Sequence, residues 1–181
     1  MKENIKKYIL ISIAVIAVGL LGVVLWWFMQ FGTYTDKTYG FSIQYPSAWK
    51  LVQTPAEGVA AAFLSPKENA MDRFQENVNV SIEDVPAELA TTKNFSDKVL
   101  EQMTKVFKNI KVTESKEVMF GQHRGYRAVF VTDTPDKVTI LTVWTIKNGN
   151  RAYILTYMAM TRQYQTYLPL VETMIQSFKL K

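Results

Sequence analysis

The sequence contains no cysteine and only one histidine, His123. Without cysteine the chain has no disulfide, no thiol nucleophile, no lipoprotein lipidation site and no cysteine-ligated metal. Nothing in the sequence places a nucleophile within reach of His123, so no Ser-His-Asp set can be assembled around it. We therefore predict no catalytic residues and no cofactor-binding residues.

The chain also lacks a strong excess of charge. Its net charge is +5, and Lys2, Lys6 and Lys7 contribute to this value before any apolar segment begins. The remaining sequence mixes acidic and basic residues, a pattern that is typical of a solvated surface and not of a nucleic-acid-binding patch. We therefore predict no nucleic-acid partner.

One long stretch lacks charged residues altogether and runs from Tyr8 to Met29. A helix of this length, rising ~1.5 Å per residue, would span about 33 Å, which is enough for the ~30 Å hydrocarbon core of a bilayer. A cleaved signal peptide would have a shorter apolar core followed by small residues. We therefore predict an uncleaved signal anchor that contacts the lipid bilayer through residues 8–29.

The residues that flank this stretch predict its orientation. Lys6 and Lys7 precede it and favour a cytoplasmic N-terminus, while Trp26 and Trp27 suit the outer membrane–water interface. The chain would then be a single-pass protein of the cell membrane. Its predicted parts are a cytoplasmic N-terminus at residues 1–7, the transmembrane anchor at 8–29, a short polar tether at 30–38 and an extracytoplasmic domain at 39–181.

Within the domain, short apolar runs alternate with polar turns. Alternating apolar and polar residues predict strands, at residues 39–45, 49–53, 59–64, 77–83, 111–120, 126–133, 138–146 and 152–158. Apolar residues that repeat every three or four positions predict helices at 95–110 and 163–178. The connections between strands are mostly hairpin-sized, so we predict an α+β domain with a mostly antiparallel sheet.

Local signals define three details of these elements. Asn94 is the predicted N-cap of the first helix. Asn148-Gly149 predicts a two-residue hairpin loop, which would place Trp144 opposite Tyr153. Pro169 lies inside the second helical pattern and predicts that a helix begins afresh with this proline in its first turn.

The two ends of the domain resemble PsbP-like domains. The opening, Tyr39-Gly-Phe-Ser-Ile-Gln-Tyr-Pro-Ser-Ala-Trp-Lys50, is similar to their first strand and turn. The final part is also similar, with Tyr153-Ile-Leu-Thr-Tyr157 followed by a helix that closes on Gln176-Ser-Phe178. The resemblance implies an α/β/α sandwich around a central, mostly antiparallel sheet.

The namesake of these domains is an extrinsic lumenal subunit of photosystem II that supports calcium and chloride retention at the oxygen-evolving centre. Many bacterial relatives are secreted, lipidated or anchored proteins. This chain has a predicted anchor where the namesake has a cleaved targeting peptide, so we do not transfer a photosynthetic role to it. Calcium enters as a cofactor only through this resemblance.

Carboxylates offer the one remaining route to a metal site. Asp133 and Asp136 flank a predicted turn, and Glu83 and Asp84 end a predicted strand. Oxygen ligands suit calcium, but a site needs about six to eight of them and no spacing matches an EF-hand loop. Turn chemistry explains Asp133 and Asp136 without a metal. We predict no metal site, with these two aspartates as the candidate ligands if one exists.

These patterns favour a membrane-anchored, extracytoplasmic, non-catalytic binding or assembly module with a membrane or envelope protein as its partner. Two alternatives remain open: a membrane-bound hydrolase that depends on carboxylates or a metal, and a carrier of a small apolar ligand. Tyr153, Tyr157, Tyr164 and Tyr167 are the candidate lining of a ligand groove, although core packing explains the same tyrosines.

Overall fold

The computed structural model describes residues 30–56, 58–89, 91–106, 109–133, 136–147 and 150–181. The predicted anchor at 8–29 and the predicted membrane-interface residues Lys6, Lys7, Trp26 and Trp27 lie outside the described residues. Within the described ranges, no helix is both long and apolar enough to cross a membrane. The anchor and the localisation that follows from it stay predictions.

The described residues form ten strands and two helices. In chain order these are β1 (Phe31–Asp36), β2 (Phe41–Pro46), β3 (Lys50–Ala56), β4 (Val59–Leu64), β5 (Asn77–Asp84), α1 (Thr92–Val106), β6 (Ile110–Phe120), β7 (His123–Thr132), β8 (Val138–Lys147), β9 (Arg151–Met160), α2 (Tyr164–Ser177) and β10 (Lys179–Leu180). A 3-10 turn, Ala87–Leu89, precedes α1.

The strands form two sheets in which every neighbouring pair is antiparallel. The large sheet has seven strands in the order β3-β4-β5-β9-β8-β7-β6, and the small sheet has three in the order β1-β2-β10. This arrangement confirms the predicted α+β class and the antiparallel sheet.

Helices lie on both faces of the large sheet. Side chains alternate along β8, so that Leu141 and Val143 join one apolar cluster while Ile140 and Trp144 join another. Helix α2 and the small sheet cover the first cluster, and helix α1 covers the second. The result is the layered sandwich that the resemblance implies.

The tether predicted at residues 30–38 is wrong, because most of it forms strand β1, which pairs with β2 along its whole length. The ring of Tyr34 packs against Phe41 and Phe63, with centroid separations of 5.9 and 6.1 Å. These tertiary contacts stabilise a strand whose own sequence is too polar and too short to predict it. Only Gln30 therefore lies between the predicted anchor and the first strand.

The N-terminus of helix α1 also differs from the prediction. The helix begins at Thr92, and the Thr91 Oγ1 atom accepts a hydrogen bond of 3.2 Å from the backbone N–H of Asn94. Thr91 is therefore the N-cap, and Asn94 lies in the first turn. Both residue types suit an N-cap, so composition alone does not distinguish them.

We expect Thr91→Ala to lower the free energy of unfolding by about 1 kcal/mol, because the N–H of Asn94 loses its acceptor. Asn94→Ala should cost less, since that side chain makes only an exposed hydrogen bond to the Glu88 carbonyl. Urea unfolding followed by circular dichroism measures both changes. A larger loss for Asn94→Ala than for Thr91→Ala would contradict the cap assignment.

The predicted two-residue loop between β8 and β9 is wrong. Trp144 lies opposite Ile154 instead of Tyr153, and Lys147 pairs with Arg151, which leaves three residues between the paired strands. The shift by one residue changes which face each β9 side chain occupies relative to β8. As a consequence, Tyr153 lies in the cluster under α2, whereas Trp144 lies in the cluster under α1.

Helix α2 is continuous from Tyr164 to Ser177, with Pro169 inside it. The predicted fresh start of a helix near this proline is therefore wrong. A proline inside a helix removes one hydrogen bond, but tertiary packing of an apolar face is the main source of helix stability. That packing comes from both sides of the proline, through Tyr164, Val171, Met174 and Ile175.

Candidate functional site

The structure separates the carboxylates that the sequence singled out. Asp133 follows β7 and Asp136 precedes β8, and both are exposed. Glu83 lies opposite Ala152, near the other end of the large sheet. The two ends of β8 (Val138–Lys147) are roughly 30 Å apart at ~3.4 Å per residue, so these side chains share no cleft. In the part of the chain that the structure describes, no three His, Cys, Asp or Glu side chains form a group suited to a metal ion.

His123 lies in strand β7, where it is half-buried and pairs with Phe120. The predicted strands 111–120 and 126–133 leave His123 in the connection between them, but the observed strands are joined by Gly121 and Gln122 alone. The single histidine is therefore a strand residue.

Three of the four candidate groove tyrosines are core residues. Tyr153, Tyr157 and Tyr164 expose 2%, 0% and 7% of their surface. The Tyr157 ring stacks on Tyr164 at 5.4 Å, and its hydroxyl donates a hydrogen bond of 3.1 Å to the Tyr164 carbonyl. Burial raises the pKa of the Tyr157 hydroxyl, and the nearby Glu76 carboxylate raises it further. Tyr167 packs edge-on against Trp49, so core packing accounts for this group.

A cleft of about 430 Å³ with mixed polar and apolar lining lies between strands β6–β8 and the start of α2. We call it the β6 cleft. Its walls carry charged and hydroxyl groups, and apolar side chains form part of its floor. The lining residues are Thr113, Glu114, Arg127, Val129, Val131, Thr139, Thr161, Tyr164, Gln165 and Leu168.

Arg127 is the central charge of the β6 cleft. Its side chain is only 13% exposed, and its Nε atom lies 2.9 Å from Glu114 Oε1. A second nitrogen, Nη1, donates a hydrogen bond to Glu172 on α2. The Nε contact is an ion pair without an aligned hydrogen bond, because neither atom meets hydrogen-bond geometry. Lys116 approaches the same Glu114 oxygen at 3.2 Å, so the cluster contains two cations and two carboxylates.

Burial and neighbouring charges shift the pKa values of two groups in this cluster. Burial lowers the pKa of Arg127, but the hydrogen bond and charge of Glu172 and the charge of Glu114 outweigh it, so the pKa is raised. Burial raises the pKa of Tyr164, and the charge and hydrogen bond of Arg127 offset this in part. Neither group titrates near neutral pH, where a general acid or base works best.

Strand β6 borders the cleft and forms one edge of the large sheet. Among the described residues its sheet neighbour is β7 alone. A bulge at Thr113 interrupts the pairing, and Val112 and Met119 expose 38% and 56% of their surface. An edge strand of this kind is able to accept an extended segment of another protein through backbone hydrogen bonds.

A buried carboxylate closes the loop between β4 and β5. Glu76 and Ser65 each expose 1% of their surface. The Ser65 hydroxyl donates a hydrogen bond of 3.3 Å to Glu76 Oε2. The Ser65 backbone N–H also donates to the Glu76 carbonyl at 2.8 Å. Burial raises the pKa of Tyr167, with Glu76 as the next cause. This contact pair joins the two ends of the loop 65–76.

Comparison with known proteins identifies the family. The PsbP family model matches residues 29–180, which is most of the chain. The chain belongs to the PsbP family. The match begins where the predicted anchor ends and includes strand β1.

Solved structures share this PsbP fold. Cyanobacterial PsbP (CyanoP) from Synechocystis sp. PCC 6803 is 17% identical, with a TM-score of 0.62 over 84% of this chain and 93% of that one. LpqN of Mycobacterium tuberculosis is 11% identical, with a TM-score of 0.59 over 84% and 91%. The Saccharomyces cerevisiae Ran-binding protein Mog1p is 9% identical, with a TM-score of 0.60 over 83% and 95%. These TM-scores show a common fold, and at such low identities they show the fold alone. A search of curated protein sequences found no match.

Sequence reasoning missed the charged cluster of this PsbP-family domain. Arg127 lies in the apolar stretch Tyr126-Arg-Ala-Val-Phe-Val131, and a charge inside an apolar strand is a signal of a buried ion pair. Its partner Glu172 is 45 residues away. No local pattern joins the two, because strand β7 and helix α2 meet only in the folded domain.

Proposed function

We propose that this protein is a membrane-anchored, extracytoplasmic, non-catalytic binding or assembly module of the PsbP family. The uncharged stretch at residues 8–29 supports the anchor. The anchor would hold the domain at the membrane surface and raise its effective concentration near a membrane or envelope partner. Localisation and binding, without a chemical step, are then the mechanism.

Two solved structures of the same fold support a binding or assembly role by likeness of fold. Mog1p is a Ran-binding protein, and LpqN is involved in cell envelope biogenesis. The geometry of this domain is also poor for hydrolysis, since Asp133 and Asp136 lie at the opposite end of the sheet from Glu83. The proposed role therefore needs a partner surface and no active site.

Strand β6 has an edge that no other described strand covers, and this edge beside the β6 cleft is the observation that carries the proposed partner site. An extended partner segment added to this edge would gain backbone hydrogen bonds, and alternate side chains would enter the cleft. Lys111, Glu117 and the bulge at Thr113 make indiscriminate pairing of the edge unfavourable. The partner segment would therefore match both the bulge and the alternating charges.

A photo-crosslinking amino acid at Thr113 tests this proposal in native membranes. We expect ultraviolet irradiation to join this position to a small set of membrane or envelope proteins, identified by mass spectrometry. The charge reversal Lys111→Glu in the same chain should weaken that crosslink several-fold. The new carboxylate would repel the acidic group of the partner that Lys111 attracts.

The matched control places the same crosslinker at Asp97, which is exposed on α1 on the other face of the sheet. The same proteins captured from both positions would reject the β6 edge as the site. No enrichment over an unrelated domain carried on the same anchor would reject the binding role itself.

A further inference from the structure

The orientation of the domain on its anchor follows from strand β1. The predicted anchor ends at residue 29, and β1 begins at Phe31. The carbonyl of Gln30 already accepts a hydrogen bond of 2.7 Å from the backbone N–H of Ser47. With one residue between them, the end of the domain that carries Gln30 and Ser47 lies next to the bilayer surface.

The strand register shows what else lies at this end. Strand β3 begins at Lys50, close to Ser47 in sequence, and Lys50 pairs with Leu64. Leu64 pairs with Asn77, and Asn77 pairs with Met158. The loop 65–76 therefore leaves the sheet at the same end as Gln30. The turn 37–40 lies at the opposite end of β1, about 17 Å away at ~3.4 Å per residue.

The loop 65–76 holds an apolar side chain outward. Both carboxylate oxygens of Asp72 accept backbone hydrogen bonds, from Glu68 at 3.1 Å and from Phe74 at 3.1 Å. The Asn69 side chain accepts another from the N–H of Met71 at 2.9 Å. Met71 is nevertheless 85% exposed, the most exposed of the large apolar side chains in the described residues.

Charged residues of both signs surround this methionine. A cleft of about 530 Å³ next to the loop is lined in part by Met71 and Met160, by the basic Arg73 and Arg162, and by the acidic Glu68, Asp72 and Asp136. Lys67 and Lys137 are also exposed at this end of the domain. The acidic Asp72 is engaged by the loop backbone, so much of its charge is already matched. The exposed apolar tip suits a membrane–water interface, and the basic side chains within this mixed set of charges suit its anionic headgroups.

We propose that the loop 65–76 docks onto the bilayer beside the chain's own anchor. Met71 enters the interface, and Lys67, Arg73 and Arg162 contact the phosphates of anionic lipids. The inference rests on the anchor proposed above and goes beyond it, because it assigns a lipid-binding face and a fixed orientation. Docking at this end would hold β6 along the membrane normal, with the β6 cleft open to the side.

The absence of native cysteine makes a direct test possible. Met71→Cys and, as the control at the far end of β1, Thr38→Cys each give the full chain one site for a fluorescent label. The labelled chains are placed in nanodiscs of mixed phosphatidylcholine and phosphatidylglycerol that contain lipid-borne quenchers. We expect strong quenching at position 71 and little at position 38.

A charge variant tests the lipid contacts separately. Arg73→Glu with Arg162→Glu should lower the docked-to-undocked ratio, read from quenching at position 71, by at least about tenfold, since each basic residue near an anionic surface contributes a factor of about five. Lys37→Glu with Lys93→Glu, at the other end of the domain, should leave that quenching unchanged.

The outcomes separate this inference from the proposed function. A chain that remains in the nanodisc but shows equal quenching at positions 71 and 38 overturns the docking and leaves the anchor standing. A chain that elutes free of nanodiscs overturns the anchor, and the docking with it. Loss of quenching at 71 in the Lys37 and Lys93 variant would overturn the assignment of the basic residues.

Discussion

Gly121→Ala should lower the free energy of unfolding by at least ~3 kcal/mol, through backbone strain and overpacking together. Gly121 has a φ of 59°, which L-residues rarely adopt. A Cβ atom at this position would lie 1.8 Å from the backbone carbonyl oxygen of Phe178. The Gly121 N–H also donates a hydrogen bond of 3.0 Å to the Ile175 carbonyl, so the turn is unable to move away freely.

Gly58→Ala is the matched control for this effect. Gly58 has a similarly positive φ of 77°, but a Cβ atom there would meet nothing within 4 Å. Gly58→Ala should lower the free energy of unfolding by only the strain of a left-handed residue, about 1–2 kcal/mol. Urea unfolding of the full chain in mild detergent, followed by circular dichroism, gives both values. Equal losses for the two variants would show that the approach of Gly121 to Phe178 is not a tight contact.

Phe178→Ala should have an effect of similar or larger size, about 3–5 kcal/mol, because it leaves a cavity in a packed core. Phe178 is fully buried. Its ring stacks on Phe120 at 4.1 Å and on Phe41 at 5.6 Å, and it contacts Tyr153 at 6.0 Å. These rings come from both sheets, so the side chain joins the small sheet to the large one.

Phe178→Leu separates volume from aromatic contact. Leucine fills most of the space, so its cost should be about 1.5 kcal/mol, the sum of imperfect packing and lost ring contacts. The same unfolding measurement compares the two variants. If alanine and leucine are equally tolerated, the junction between the sheets does not depend on a filled core at this position.

The fold was predictable wherever a local pattern coincides with a tertiary role. Strand β4, residues 59–64, has the predicted bounds because an apolar run is enclosed by Gly58 and a polar loop. Strand β1 was not predictable, because Tyr34 gains its stability from Phe41 and Phe63. The hairpin register failed for a related reason. The predicted Asn148-Gly149 signal is followed by Asn150, whose N–H bonds to the Lys147 carbonyl, and the ladder resumes at Arg151 instead of Asn150.

The candidate site was less predictable than the fold. Asp133, Asp136 and Glu83 stand out in the sequence because they lie near turns, which is also why they are exposed and far apart. No local pattern marks Arg127 and Glu172, since their ion pair joins a strand to a helix across a large separation in the chain. Polar clusters of this kind depend on packing, and packing is what a single sequence specifies least directly.

Among the described strands β1 pairs with β2 alone, which would have a mechanical consequence if the chain is anchored as proposed. A pull between membrane and domain would then load the six residue pairs of this ladder and the contact of Tyr34 with Phe63 of the large sheet. If the ladder separated, residues 30–40 would become a flexible leash with a reach of roughly 35 Å. The domain would then lose its fixed orientation on the membrane and reach partners over a larger distance, with its main core still folded.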